Sequence, residues 1–165
     1  MTDKQVHPIR LVKYKWPVDK AWQVSIWLRL TSHLMNEIRT KELGKYNLSV
    51  MNSAIIIILH NSEQMVRPID IARQMHRGRR FVTETLNRMQ QNGLITRKKH
   101  PKKKNQIILS LTQKGEELYR EIAKQKSIHK IMANFSNTEI DNSLKFLKKL
   151  YTAISQTDRE TAKEI

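Results

Sequence analysis

Side chains that can read the edges of bases cluster in one segment, residues 77–91. The candidates are Arg77, Arg79, Arg80, Thr83, Glu84 and Asn87. Arginine can donate a pair of hydrogen bonds to guanine O6 and N7, asparagine can bond adenine in a similar way, and glutamate can accept from cytosine N4. The chemistry that these residue types share is therefore hydrogen bonding in the grooves of duplex DNA.

This interpretation depends on the segment being a helix. If Val82, Leu86 and Met89 face a core at 100° per residue, the polar residues lie on the opposite face and at the N-terminal end. A polar outer stripe is usually just a solvated face, and that alternative applies here too. Three arginines at the helix start oppose the helix dipole, however, which costs stability unless phosphates compensate. Base reading is therefore the favoured interpretation.

A second set of cations follows where the residue pattern changes to that of a hairpin. The set is Arg97, Lys102, Lys103 and Lys104. Ile107, Leu109 and Leu111 occupy alternate positions, which predicts a strand paired across a basic connection at His100–Asn105. On such a wing the cations would follow the phosphate backbone or enter the minor groove, giving affinity more than discrimination. The alternatives are solvated charge, or lysines that keep an edge strand from aggregating.

The whole chain carries a strong positive charge. Its 165 residues include 31 Lys and Arg against 15 Asp and Glu, a formal net charge of +16. Between residues 67 and 104, twelve basic and two acidic residues account for +10 of this excess. A polyanion, and nucleic acid above all, is the expected partner.

The sequence contains no motif typical of an enzyme active site. It has no phosphate loop and no nucleophile with a plausible base, and without cysteine it can form neither a disulfide nor a cysteine-based zinc site. The six histidines are scattered without ligand spacing, so we expect no metal and no cofactor. The longest apolar run is far too short to span a bilayer and no signal core is present, which predicts a soluble, cytoplasmic protein with no membrane partner.

Several helices must position the candidate side chains. The periodicity and capping residues predict helices at Lys20–Leu43, around Ala54–Leu59 with Ser49 as N-cap, from Arg67-Pro68 through Met75, at Arg79–Asn92, from Thr112 through Ile128, and from the Ser136–Glu139 capping box through Ile154. The run Ala54–Leu59 also has strand propensity, and residues 156–165 are expected to fray.

Residues 69–118 resemble the multiple-antibiotic-resistance regulator (MarR) family of winged-helix proteins. The resemblance rests on IDIARQM, then RGRRFVTETLNRMQQNGLITR, then SLTQKGEEL, which follow that family's helix, recognition helix, wing and post-wing helix in order and spacing. Two departures are visible. His100-Pro-Lys-Lys-Lys stands where the family's wing usually carries Asp-x-Arg, and Gly78 replaces the usual small hydroxyl residue before the recognition helix.

The resemblance implies a homodimer whose two recognition helices enter successive major grooves of a palindromic double-stranded DNA operator. It also implies a transcriptional regulator, usually a repressor of nearby genes, that a small aromatic or anionic effector releases from DNA. Within one domain of residues 1–165, DNA binding would belong to residues 48–112 and dimerisation to residues 1–46 and 113–165. The alternative function is a nonspecific or architectural nucleic-acid-binding winged helix without a ligand response.

Apolar residues near both ends of the chain independently predict dimerisation, because one small winged helix cannot cover them. The interface candidates are Ile9, Leu11, Trp22, Leu144, Leu147 and Tyr151. Packing within one subunit is the alternative. The candidates for a ligand pocket are Trp27, Leu30 and His33, although such residues are more often plain core. The predicted fold is mainly α with a small β-hairpin wing, a winged helix-turn-helix flanked by N- and C-terminal dimerisation helices.

Overall fold

The computed structural model describes residues 19–103 and 105–161 of the chain. This part of the chain contains helices α1 (Lys20–Gly44), α2 (Val50–Asn61), α3 (Pro68–Gln74), α4 (Arg79–Gln91), α5 (Gln113–Ile122), α6 (Lys126–Met132) and α7 (Asn137–Thr161), and strands β1 (Ile95–Lys99) and β2 (Ile107–Leu111). The described residues belong to two compact units that divide within α1, after Glu37.

In the first unit, residues 20–37 form the N-terminal part of α1, as the three- and four-residue apolar spacing predicts. The exposed large apolar side chains of this unit are Trp22, Val24, Trp27, Leu30 and Leu34. His33 Nε2 lies 3.6 Å from Glu37 Oε1, one turn further along the helix. The first unit thus carries a long apolar stripe on an exposed helix.

The core of the second unit joins α2, α3, α4 and the hairpin. Ser49 caps α2 by accepting a hydrogen bond from the backbone N–H of Asn52 at 3.1 Å. The isoleucine run that follows is helical, which confirms the prediction of a helix over that of a strand. The side chains that are fully buried are Leu43, Ile55, Ile56, Ile71, Val82, Leu86, Met89, Ile95 and Ile122. Because α3 packs against α4 and α2 against α5, this apolar cluster holds the helix-turn-helix together.

The hairpin pairs β1 and β2 antiparallel, with Arg97 opposite Leu109 and Lys99 opposite Ile107. Leu109 is buried but Ile107 is exposed, so only part of the predicted alternation faces the core. Val66 adds an isolated bridge, in which the Leu109 N–H donates to the Val66 carbonyl oxygen at 2.8 Å. This bridge ties the segment before α3 to the wing.

The start of α5 docks closely against the end of α4. Thr112 caps α5: its Oγ1 accepts from the Gly115 N–H at 3.1 Å and donates to the Gly93 carbonyl oxygen at 2.6 Å. A Cβ atom at Gly115 would meet the Leu94 carbonyl oxygen well inside 3.0 Å, a distance that real Cβ atoms essentially never reach. Glycine at position 115 therefore allows the backbones of α5 and the α4–β1 connection to approach each other.

The prediction of one continuous helix from Thr112 through Ile128 is wrong. Helix α5 ends at Ile122, Gln125 takes a left-handed conformation with φ of 39°, and α6 begins at Lys126. Residues 123–126, Ala-Lys-Gln-Lys, contain neither Gly nor Pro, so no helix-breaking residue marks the break in the sequence.

Arg39 and Glu42, near the end of α1, hold this break. Arg39 Nη2 donates to the Ile122 carbonyl oxygen at 2.7 Å, while Glu42 Oε2 accepts from Arg39 Nη1 at 2.8 Å and from the N–H and hydroxyl groups of Ser127. Burial alone would raise the pKa of Glu42, but the hydrogen bonds from Ser127 and Arg39 and the charge of Arg39 outweigh it and lower the pKa from 4.5 to about 2. A largely buried ion pair thus fixes the path of the chain after α5.

Helix α7 begins at the predicted capping box. The Ser136 hydroxyl and N–H donate to Glu139 Oε2 at 2.6 and 2.8 Å, and the Glu139 N–H donates back to Ser136 Oγ at 3.3 Å. The expectation of fraying from Gln156 onward is wrong as far as Thr161, because extending an established helix adds a hydrogen bond for each residue fixed. No helix among the described residues is long and apolar enough to cross a membrane.

Candidate nucleic-acid interface

Helix α4 has one buried apolar face and one exposed polar face. Val82, Leu86 and Met89 are buried, together with Thr85, whose hydroxyl donates to the Phe81 carbonyl oxygen at 2.9 Å. The predicted orientation of α4 is therefore confirmed. All six predicted base-reading residues are exposed on α4 or in the turn before it: Arg77, Arg79, Arg80, Thr83, Glu84 and Asn87.

The turn before α4 concentrates positive charge at the start of that helix. Helix α3 ends at Gln74, and His76 turns the chain through a left-handed conformation with φ of 48°. Gly78 is the N-cap and has no side chain to accept a hydrogen bond, and the first turn of α4 contains no acidic residue. The first N–H groups of a helix already attract anions, and Arg77 and Arg79 strengthen that attraction here.

Three of the candidate side chains make hydrogen bonds within α4. Arg80 Nε donates to Glu84 Oε1 at 3.2 Å, and the Arg80 side chain is 95% exposed. An exposed pair of this kind contributes only about 0.3–0.5 kcal/mol, so it can yield to a stronger partner. The Thr83 hydroxyl donates to the Arg79 carbonyl oxygen at 2.9 Å, which commits its proton and leaves its lone pairs as acceptors.

The wing divides its predicted cations between two environments. Lys102 and Lys103 are exposed in the connection between the strands, and Lys104 lies outside the described residues. Arg97 is partly buried on β1 opposite Leu109, and its Nε has no hydrogen-bond partner among the residues described. The exposed lysines can reach a phosphate directly, whereas much of the Arg97 side chain lies against the hairpin.

The side chain of His100 closes the wing tip. Its Nδ1 accepts hydrogen bonds from the backbone N–H groups of Lys102 at 3.1 Å and Lys103 at 3.2 Å. Two backbone hydrogen bonds complete the tip, from the His100 N–H to the Gln106 carbonyl oxygen at 2.8 Å and from the Gln106 N–H to the Lys103 carbonyl oxygen at 2.9 Å. His100 thus shapes the segment that carries the exposed lysines.

Arg67 is a cation whose charge is neutralised by a carboxylate of the same chain. Its Nε and Nη2 donate to the two carboxylate oxygens of Asp70, each at 2.8 Å. This hydrogen bonding raises the pKa of Arg67 and lowers the pKa of Asp70. The bidentate pair fixes the start of α3, so Arg67 is not part of the candidate interface.

The remaining predicted site residues lie on helices α1 and α7 or outside the described part of the chain. Trp27, Leu30 and His33 are exposed on α1, so the ligand pocket stays a prediction. Of the interface candidates, Trp22, Leu144, Leu147 and Tyr151 are exposed, whereas Ile9 and Leu11 lie outside the described residues. The described residues contain no group of three or more His, Asp or Glu that could hold a metal ion.

Sequence reasoning missed the roles of Phe81 and His100. Phe81 is exposed in the first turn of α4 and lines an open cavity of about 590 Å³ together with Leu48, Met51 and Arg88. Its sequence signal is an apolar residue beside the core stripe of α4. For His100 the signal is its side-chain acceptor, which can bond the backbone N–H groups two and three residues later. Asn and Asp make turns of the same kind.

A short helix, a tight turn, a helix with an exposed cationic start and a basic hairpin define a winged helix-turn-helix protein. Residues 50–104 match the model of the MarR family, which confirms the resemblance of the winged-helix part of the chain to that family. Along its length the chain is similar to the transcriptional repressor MprA of Escherichia coli (strain K12), with 22% identity over 148 residues that cover 86% of this chain and 84% of MprA.

Solved structures confirm the predicted fold class, mainly α with a hairpin wing. S. aureus MepR in complex with DNA matches with a TM-score of 0.71 at 17% identity, over 79% of this chain and 97% of the MepR chain. AbsC, a MarR family transcriptional regulator from Streptomyces coelicolor, matches with a TM-score of 0.74 at 18% identity, over 86% of this chain and 99% of AbsC. Regulators of this family are non-enzymatic DNA-binding proteins, which agrees with the expectation that the chain is not an enzyme.

Proposed function

We propose that the protein is a homodimeric transcriptional regulator that binds a palindromic site in double-stranded DNA. The observation that carries this proposal is the exposed start of α4, where arginines surround a helix end without a side-chain cap. The major groove of B-form DNA admits a helix, and the N-terminal residues of a recognition helix contact the base edges. The six exposed side chains of α4 and its preceding turn occupy that position.

The two cationic elements have different tasks in this proposal. Arg80 bonds guanine, Asn87 bonds adenine, and Glu84 either accepts from cytosine or orients Arg80, so that α4 discriminates between sequences. Lys102 and Lys103 contact phosphates and contribute affinity to every duplex alike. Arg77 and Arg79, at the N-terminal end of α4, contact base edges or the flanking phosphates in the groove that α4 enters.

Dimerisation is supported by the apolar side chains that remain exposed on two helices. On α7, Leu144, Leu147, Tyr151 and Ile154 are 45–59% exposed, and they recur at three- and four-residue steps along one face. On α1, Trp22, Trp27, Leu30 and Leu34 are exposed as well. A second copy of the chain that covers these faces would place two recognition helices on half-sites about one helical turn, roughly 34 Å, apart.

Repression of nearby genes and release by an effector are the finer parts of the proposal. Repression is supported by the similarity to MprA, whose name describes a transcriptional repressor. For the effector we keep the expectation of a small aromatic or anionic molecule, with Trp27, Leu30 and His33 as the residues to test first. Screening such compounds for release of a labelled duplex, with wild type and a Trp27→Ala variant, examines this part separately.

Selection of bound sequences from random DNA tests the central proposal. The purified protein is expected to enrich a palindrome and to prefer it to random duplex by about 10³-fold or more at physiological salt. A single unrepeated half-site would contradict the dimeric arrangement. Equal binding to random duplex, structured RNA and heparin would overturn sequence-specific regulation and favour an architectural role.

A further inference from the structure

The tip of the wing depends on one side-chain acceptor. His100 Nδ1 accepts both the Lys102 and the Lys103 N–H groups, at 3.1 and 3.2 Å, so a single ring nitrogen satisfies two backbone donors. Lys102 and Lys103 are the exposed cations on this connection. The backbone that carries them is therefore held in place by a residue that need not touch DNA itself.

Only one protonation state of His100 can make these two hydrogen bonds. Nδ1 accepts when it bears no proton, with the proton on Nε2, whereas in the imidazolium ion both ring nitrogens are donors. A proton on Nδ1 would face two N–H donors and break both bonds. A free imidazole gains its second proton between pH 5 and 8, which is the interval in which the effect of a proton on this ring can be tested.

Charged groups from two parts of the chain surround His100. His100 shares an open, polar cavity of about 430 Å³ with residues from the loop before α3, from α3 and from the tip: Gln64, Met65, Arg67, Asp70, Lys103 and Gln106. Arg67 and Asp70 neutralise each other through their bidentate pair. The remaining nearby charges, on Lys99, Lys102 and Lys103, are positive.

We propose that neutral His100 is a positioning residue that fixes the wing tip so that Lys102 and Lys103 meet phosphates, and that protonation of its ring releases the tip. The use of the tip on phosphates rests on the proposed DNA-binding function, whereas the hydrogen bonds and their loss on protonation do not. A carboxylate at position 100 could accept the same N–H groups, but it would bring negative charge to a surface that meets phosphates. The neutral imidazole supplies the acceptor without that repulsion.

The first test uses the free protein and needs no DNA. In ¹H–¹⁵N spectra recorded from pH 8 to pH 5.5, the Lys102 and Lys103 amide signals of the wild type are expected to shift together with the His100 ring signals, and their hydrogen exchange, corrected for its intrinsic pH dependence, to accelerate as the ring is protonated. His100→Asn keeps an acceptor at the same distance from the backbone, and its two amides are expected to stay protected throughout. Wild-type amides that do not follow the His100 ring, or that behave as in His100→Asn, would overturn the proposal.

The second test measures duplex affinity at pH 8. His100→Ala is expected to weaken binding to all duplexes about three- to tenfold, as loss of one or two hydrogen bonds implies, and His100→Asn to restore it. In a double-mutant cycle, Lys103→Ala is expected to cost less in the His100→Ala background than in the wild type. If the losses of affinity in the two single variants simply add, the positioning role is rejected, whatever the amide test has shown. A protein that binds no duplex better than heparin would refute the proposed function, and the amide test alone would then decide whether His100 holds the tip.

Discussion

Arg77, Arg79 and Arg80 lie where their charges destabilise the isolated protein. They surround the positive end of the α4 dipole, and Gly78 offers its first N–H groups no side-chain acceptor. Arg80 gains some relief from Glu84, but that exposed pair contributes only about 0.3–0.5 kcal/mol. A phosphate or a guanine edge would satisfy both the helix end and the arginines, which makes this cluster more consistent with a binding surface than with a solvated face.

Replacing Arg80 tests the assignment of base reading. Arg80→Ala is expected to cost about 1–3 kcal/mol on the selected site and to relax the preference at one base pair, because a bidentate contact with guanine is lost. Lys103→Ala is the matched control from the other cationic element. It is expected to weaken all duplexes alike and to reduce the slope of log K against log salt by about one, the loss of one phosphate contact. Titrations of the selected duplex and single-base variants at several salt concentrations measure both effects. If Lys103→Ala altered the sequence preference and Arg80→Ala did not, the division of tasks would be refuted.

Glu42 links stability to acidic pH. Its pKa in the folded protein, about 2, is below the ordinary 4.5, so its contribution to folding is complete above pH 4.5 and is lost as the pH falls toward 2. Glu42→Gln is expected to lower the free energy of unfolding at pH 7 by about 1–3 kcal/mol, since it weakens the bonds to Arg39 and Ser127. The difference from wild type should shrink between pH 4.5 and 2.

Urea unfolding at a series of pH values measures this dependence. Glu63→Gln, which makes the same chemical change at an exposed position, is the control and should follow the wild-type curve. A Glu42→Gln protein that loses stability in parallel with wild type throughout the acid range would show that the Arg39–Glu42–Ser127 network does not hold the α5–α6 break.

Helix α5 packs against the α4–β1 connection through a close backbone contact at Gly115. Gly115→Ala would place a Cβ against the Leu94 carbonyl oxygen, and because the obstacle is backbone, it cannot turn aside. We expect a loss of about 1–3 kcal/mol or more in unfolding free energy. Gly44→Ala is the control: no atom lies within 4 Å of the new Cβ at this last residue of α1, and alanine favours helix. Thermal and urea unfolding should find Gly44→Ala neutral or slightly stabilising; similar losses in both variants would refute the close contact.

The elements that could be predicted from the sequence are those whose signals are local. Val82, Leu86 and Met89 define the α4 stripe within eight residues, Ser49 marks the start of α2, and these predictions are confirmed. The break after Ile122 could not be predicted, because it depends on Arg39, 83 residues away, and residues 123–126 contain neither Gly nor Pro.

Side-chain contacts around the candidate site were only partly predictable for the same reason. The exposed face of α4 follows from its periodicity, and all six predicted residues lie on it or in the preceding turn. The partial burial of Arg97 depends on strand register with Leu109, and the hydrogen bond of 2.9 Å between His76 Nε2 and the Tyr151 hydroxyl joins residues 75 positions apart. Neither has a signature in a short stretch of sequence.

In the whole molecule, two helices carry apolar faces that the described chain leaves uncovered. Helix α7 is exposed along nearly all of its length, yet Leu144, Leu147, Tyr151 and Ile154 follow one stripe. Leu144 and Leu147 also line an apolar cavity of about 240 Å³ with Met132 of α6 and Phe135 of the α6–α7 connection. Solvent-exposed stripes of this size usually mark an interface. A partner chain would also double the number of arginine-rich helix starts, so that one assembly could read two half-sites.

A single charge on this stripe should separate the two copies. Leu147→Glu is expected to yield monomers in light scattering after gel filtration, because a buried, unpaired carboxylate at an interface costs several kcal/mol. Asn142→Glu adds the same charge to the opposite side of α7, about 200° from Leu144, and should remain dimeric. If two linked half-sites supply the affinity, the monomeric variant should bind the full palindrome no better than one half-site, while Asn142→Glu retains the difference. A Leu147→Glu protein that stays dimeric with intact palindrome affinity would move the interface away from α7.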